Sequence, residues 1–102
     1  MNKPKHIIDA PTKDLRSIKA LIHRHCPNAR VLVFGSRIKG NARPYSDLDI
    51  AIDNGQKLPI DVLFALKDAL EESDLSYTVD CLDLHAISPD FQKLILQEYS
   101  LL

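Results

Sequence analysis

The sequence is short of cysteine, of long apolar runs and, over one segment, of acids, and each shortage excludes something. Only Cys26 and Cys81 are present. Neither has a Cys or His partner at metal-ligand spacing, and a disulfide framework in so small a chain normally needs more of them, so both are expected to be reduced. No uninterrupted apolar stretch approaches the roughly 18 residues of a membrane span, and the N-terminus lacks the apolar centre of a signal peptide. No membrane association and a cytoplasmic location are therefore the expectations. Arg30 to Arg43 contains no acid but carries Arg30, Arg37, Lys39 and Arg43, a candidate anion site in a chain whose net charge is only −1. Asp61 to Asp90 is dominated by acids, so no surface basic throughout is available to wrap a nucleic acid duplex, and bulk nucleic-acid binding is not expected.

What is present describes one ordinary globular domain: 102 residues, 45% apolar and 26% charged, enough for one modest core. Residues 1–10 read as a flexible N-terminal arm and residues 11–102 as the domain. Pro11 and Thr12 open a helix with Leu15, Ile18, Leu21 and Ile22 at helical spacing, ending near Cys26 because Pro27 disfavours a helical residue before it. Val31 to Phe34 form a short, β-branched apolar run that suits a strand buried on both faces and bounded by Gly35. Ser36 is expected to cap one short helical turn, followed by a loop over Asn41 to Ser46 that includes Pro44.

Leu48 to Ile52 make a second strand with Leu48, Ile50 and Ile52 on one face and Asp49 on the other. Pro59 starts a helix through about Glu72 with Leu63, Leu66 and Leu70 as its core stripe. Tyr77 to Leu84 is the third strand. Ser88 caps and Pro89 opens a last helix, ending near Tyr99, with Phe91, Leu94 and Ile95 as expected core residues. The order predicts an α/β (α+β) fold, a small β-sheet with helices packed against it; strand order and direction are not legible from spacing.

The chemistry concentrates between Gly35 and Asp49. A strand ending in Gly and Ser at a helix start offers backbone N–H groups and a hydroxyl to one point, an arrangement that binds phosphate oxygens, and Gly35 lets the backbone come close. Asp47 and Asp49, two apart, project their carboxylates from one face. Mg²⁺ prefers oxygen ligands and binds through one or two carboxylates plus substrate phosphates, so a phosphate cradle beside an Asp-x-Asp pair suggests a nucleotide bound with its metal. A plain helix cap and a solvated acid pair would explain each signal separately but not their adjacency to a purely basic segment.

The segments Gly35-Ser36-Arg37-Ile38-Lys39-Gly40 and Ser46-Asp47-Leu48-Asp49-Ile50 resemble the minimal nucleotidyltransferase domains of the DNA polymerase beta superfamily. The resemblance implies a polymerase-beta-like core with a mixed sheet, and it implies roles residue by residue. Gly35 and Ser36 would hold the triphosphate of a nucleotide, expected to be ATP, with Arg37 and Lys39 meeting phosphates as well. Asp47 and Asp49 would bind two Mg²⁺ ions together with a third, catalytic carboxylate. Asp80 and Asp83 compete for that place, and three apart on a strand they cannot share a face; the run Val79-Asp80-Cys81-Leu82 resembles the family's strand and favours Asp80.

His6, His23, His25 and His85 lie on separate segments or different helix faces and form no ligand set. Tyr45 has the chemistry to stack on a base but, as an exposed loop residue, needs no ligand. Stand-alone minimal members of the superfamily are commonly encoded beside a small helical HEPN protein and several act as antitoxins that modify it. The resemblance thus implies transfer of AMP to a helical HEPN partner. The alternative is a catalytically silent module that neutralises or scaffolds such a partner by contact. A small-molecule transferase of the antibiotic-modifying type is the less favoured expectation, because its acceptor pocket would have to come from two copies pairing rather than from the few residues after Tyr99.

Overall fold

The structure is a computed structural model that describes residues 7–102. Along the chain run α1 (Thr12–His25), β1 (Arg30–Phe34), α2 (Ser36–Lys39), β2 (Leu48–Asp53), α3 (Ile60–Glu71), β3 (Val79–Asp83), α4 (Pro89–Gln97) and β4 (Ser100–Leu101). The strands form one mixed sheet in the order β3-β2-β1-β4, with β1 antiparallel to β2 and β4 and β2 parallel to β3. The parallel pair follows from the helical crossover α3, since a tight turn returns a chain only antiparallel. β4 has no counterpart among the expected elements: two residues are too short to show a period, and their pairing with Leu32 and Val33 is purely tertiary.

Alternation of side chains splits the sheet into two unlike faces. Val31, Val33, Leu48, Ile50, Ile52 and Cys81 point to one side, where Ile18 and Ile22 of α1 and Leu66 and Leu70 of α3 cover them. The other face holds a smaller cluster, Leu32, Ala51 and Leu84, under Ile95 of α4. Among the described residues α4 lies alone there, and it buries a narrow stripe. Ile95 is buried, Phe91 sits at the edge, and Leu94, expected in the core, is 64% exposed, about 100° round the helix from its neighbour Ile95. The Ser88 hydroxyl does cap α4, accepting from the Phe91 N–H at 3.2 Å, and Pro89 is its first residue. Both cysteines are free and buried, and burial pushes the Cys81 thiol up to about 12.

The expected arm over residues 1–10 falls partly outside the described residues, as does His6. Its last part is tied down: Ile8 packs on the core, and the Asp9 N–H donates to the Arg37 carbonyl at 2.7 Å. Two of the histidines are occupied locally, the ring of His23 donating to the Ala29 carbonyl and that of His25 to the Leu21 carbonyl, both at 3.1 Å.

At the end of the sheet away from Gly35, the Asp53 carboxylate accepts from Arg30 Nη2 at 2.7 Å, from His85 Nε2 at 2.6 Å and from the Gly55 N–H at 3.0 Å. Burial alone would raise this carboxyl, but the hydrogen bonds from Arg30, His85 and Gly55 outweigh it and hold Asp53 at about 2, against an ordinary 3.8. A lowered acid stabilises the fold above its unfolded value and stops doing so as pH falls through its folded one. Stability is thus expected to drop by on the order of 1 kcal/mol between about pH 4 and pH 2 through this group, after discounting for the exposure of Arg30. Chemical denaturation across that window should show the slope in the wild type and a shallower one in Asp53→Asn.

Candidate active site

The carboxylates are placed by register. Asp49 stands directly opposite Phe34 on β1 and directly opposite Asp80 on β3, so Phe34, Asp49 and Asp80 form one row across three strands, each step about 4.8 Å. All three share the face that carries Ala51 and Leu82. Asp47 lies two residues before Asp49, just ahead of β2, and is exposed, as is Asp80. Asp49 is half-buried. Burial first, and then the negative charges of Asp80 and Asp47, push its carboxyl up to about 6.

Gly35 closes the row. It has φ +83°, ψ −156°, a conformation essentially restricted to glycine, and a Cβ there would overlap the Asp49 carboxylate. The bend therefore turns the chain from β1 into α2 while pressing its backbone against Asp49. The expected Ser36 cap does not form. Gly35 holds the cap position, with no side-chain bond, and Ser36 is the first helical residue, which leaves its hydroxyl uncommitted to capping at the helix start. Lys39 is exposed and lines, with Gly35, Phe34, Phe91, Leu94 and Gln97, a groove of about 570 Å³ between β1, α2 and α4. The rings of Phe34 and Phe91 meet edge to face with centroids 6.1 Å apart. Phe34, expected only as part of a buried strand, joins the carboxylate row through its register with Asp49.

The two candidates for the third carboxylate occupy opposite faces. Asp80 joins the row, whereas Asp83 is 2% exposed and accepts from the Leu58 N–H at 2.7 Å and the His85 N–H at 3.0 Å. Asp83 anchors the approach to α3 and the turn after β3, and its oxygens face away from Asp49.

Arg37 does not meet the site as the motif suggested. It is 4% exposed, and its guanidinium donates to the carbonyls of Ser46 at 2.8 and 3.0 Å, Asp9 at 2.6 Å and Pro44 at 3.1 Å. It also lies 4.3 Å over the ring of Tyr77, whose hydroxyl donates to Asp14 at 2.9 Å. A planar fork is what such a set of carbonyls requires, so Arg37 fastens the loop before Asp47 to the N-terminal segment. Arg37→Met should lower stability by about 2 kcal/mol, because it leaves carbonyls that the guanidinium satisfied without their donor. Thermal unfolding would show it, and the nucleotide KM of the folded fraction should move little. A large KM change without loss of stability would return Arg37 to the phosphates.

The donor chemistry suits divalent ions: hard carboxylate oxygens of Asp49 and Asp80 share one face, and the charges of Asp80 and of the nearby Asp47 destabilise an ionised Asp49 in a way that a cation would neutralise. Among the described residues no three His, Cys, Asp or Glu side chains converge into a ready-made ligand set. Carboxylates with no cation between them repel, and Mg²⁺ normally takes part of its shell from substrate phosphates.

Residues 16–102 match the family model described as polymerase beta, nucleotidyltransferase. The chain is also 39% identical over 92 residues, 90% of its own length and 81% of the relative's, to a Haemophilus influenzae protein described as "Probable protein adenylyltransferase MntA". The sheet, the Gly-Ser bend and the carboxylate row are thus found in a chain similar along nearly all its length to a minimal nucleotidyltransferase. No helix among the described residues is long and apolar enough to cross a membrane. The chain belongs to the polymerase beta nucleotidyltransferase family, whose reaction is the transfer of a nucleoside monophosphate.

Proposed function

We propose that this protein transfers AMP from ATP to a side-chain hydroxyl of a partner protein, a small helical HEPN protein that it neutralises as the antitoxin of a pair. The observation that carries the transferase reading is the carboxylate row Asp49–Asp80 pressed against the backbone of Gly35. The protein acceptor is supported by the adenylyltransferase relative, and the HEPN pairing by the resemblance to stand-alone minimal members. Asp47, Asp49 and Asp80 would hold two Mg²⁺ ions, which when bound supply charge neutralisation for the triphosphate and a lowered pKa for the attacking hydroxyl. The chain's own part is positioning. The bend at Gly35 brings main-chain N–H groups and the Ser36 hydroxyl to the triphosphate, and Lys39 adds a cation at the groove mouth.

The test is incubation of the purified chain with α-³²P-labelled ATP, Mg²⁺ and the HEPN protein of the adjoining gene. Label is expected on the HEPN protein, and its loss in excess chelator. The exposed Phe64 on α3 and Leu94 on α4 also fit the contact-only alternative. Neutralisation of the partner with no label on it would select that alternative.

A further inference from the structure

Among the described residues β3 is an edge of the sheet, paired only with β2, and the ladder shows which of its backbone groups face outward. The Leu48 N–H donates to the Thr78 carbonyl and the Leu84 N–H to the Ile52 carbonyl, both at 2.9 Å. Alternate residues of a parallel strand address the same neighbour. Thr78, Asp80 and Leu82 therefore turn their N–H and C=O groups to β2, and Val79 and Cys81 turn theirs away from the sheet. Among the described residues nothing pairs with those groups. The strand carries no Pro, no Lys and no bulge, and of its two charges Asp83 is buried on the α3 side while Asp80 stands in the carboxylate row. Along it runs a groove of about 430 Å³, with Lys67 and Glu71 of α3 on one side and Thr78 to Cys81 on the other.

We infer that this edge is the acceptor site: an extended, hydroxyl-bearing segment of the acceptor protein adds as a further strand beside β3. The inference deepens the transferase reading and rests on it. A row of N–H and C=O groups at strand spacing is matched by another polypeptide backbone. The edge is continuous with the carboxylate row, since a residue pairing opposite Asp80 would put its side chain on the same face, next after Phe34, Asp49 and Asp80. Its hydroxyl then stands one strand away from Asp80 and two from Asp49. The hydroxyl oxygen bonds to the α-phosphorus of ATP, the bond from that phosphorus to the bridging β-oxygen breaks, pyrophosphate leaves, and the hydroxyl proton passes to water. A second copy of this chain is a poorer occupant, because it brings its own Asp80 to an edge already lined with like charge.

Two measurements test the inference with the protein labelled in the transfer assay above. Val79→Pro removes one outward N–H, which an edge tolerates. Transfer to that protein should fall at least about tenfold through the acceptor KM, while ATP binding by calorimetry stays within about twofold. In the wild type, the Val79 and Cys81 amides should exchange at least about tenfold more slowly when the acceptor and a non-transferable ATP analogue are both present, a readout that stands even if the variant fails to fold. Undiminished transfer by a folded Val79→Pro, or unchanged exchange at both amides, overturns the inference, as does protection that rises with chain concentration alone and marks a second copy on the edge. Absence of label on any protein would instead sink the transferase reading beneath it.

Discussion

Asp49→Asn is expected to abolish nucleotidyl transfer while making the metal-free protein more stable, not less. For activity, the substitution removes the central charge of the row and, on the proposed reading, one oxygen ligand of the metal. A single electrostatic contact of this kind is worth roughly 100- to 1000-fold in rate, and a loss at the upper end is expected in the labelling assay. For stability the sign is opposite. The folded carboxyl sits at about 6, above its ordinary 3.8, so the folded state holds the proton more tightly than the unfolded one. The cost of ionising it is absent below about pH 4, grows to about pH 6 and is complete above that. Asn removes that cost. Because Asp49 is only half-buried, solvent screening leaves a gain of about 1 kcal/mol. Thermal unfolding at about pH 8 in chelator should show the variant melting higher, and added Mg²⁺ should raise the wild type alone. A variant that melts several degrees lower in chelator, or that transfers label at the wild-type rate, would contradict the site.

Gly35→Ala should damage both properties at once. The backbone at φ +83°, ψ −156° is strained for any residue with a Cβ, and that Cβ would strike the Asp49 carboxylate. The strain alone costs about 2 kcal/mol, and the collision must move either the bend or the row. Misplacement by about 1 Å in a positioned reaction costs roughly 100-fold. The expected result is a fall in transfer of that size or more, with a lowered unfolding temperature. Gly40→Ala is the matched control: it too has positive φ, at 80°, but its Cβ would meet nothing. It should lose some stability and little activity. Equal loss of activity in both variants would mean that strain, rather than the contact with Asp49, governs the result.

Much of the molecule is legible along the chain because its causes are local. Period-two alternation in Leu48 to Ile52 puts Asp49 on the face opposite Leu48, Ile50 and Ile52, as the structure has it. Pro27, Pro59 and the Ser88-Pro89 pair mark helix boundaries to within a residue or two. The same alternation separates Asp80 from Asp83. What it cannot say is which of the two neighbours Asp49, for that needs the parallel register between β2 and β3, and the register is set by how α3 crosses the sheet.

Arg37 shows the limit most clearly. In the sequence it is a cation beside a Gly-Ser bend expected to bind phosphate. In the fold it is buried under Tyr77 and bonded to carbonyls of residues 9, 44 and 46, positions that no periodicity connects. Leu94 is the converse, an apolar residue at helical spacing left exposed because, among the described residues, a single helix covers that face. By itself the sequence determined the elements, the faces of the strands and the cluster of oxygen donors next to a glycine bend, since backbone sterics and side-chain period act over a few residues. Only the tertiary structure decided which acid joins Asp49, which cation turns inward and which strand is left as an open edge. Those are matters of contact between segments far apart in the chain, and their energies exist only once the sheet is assembled.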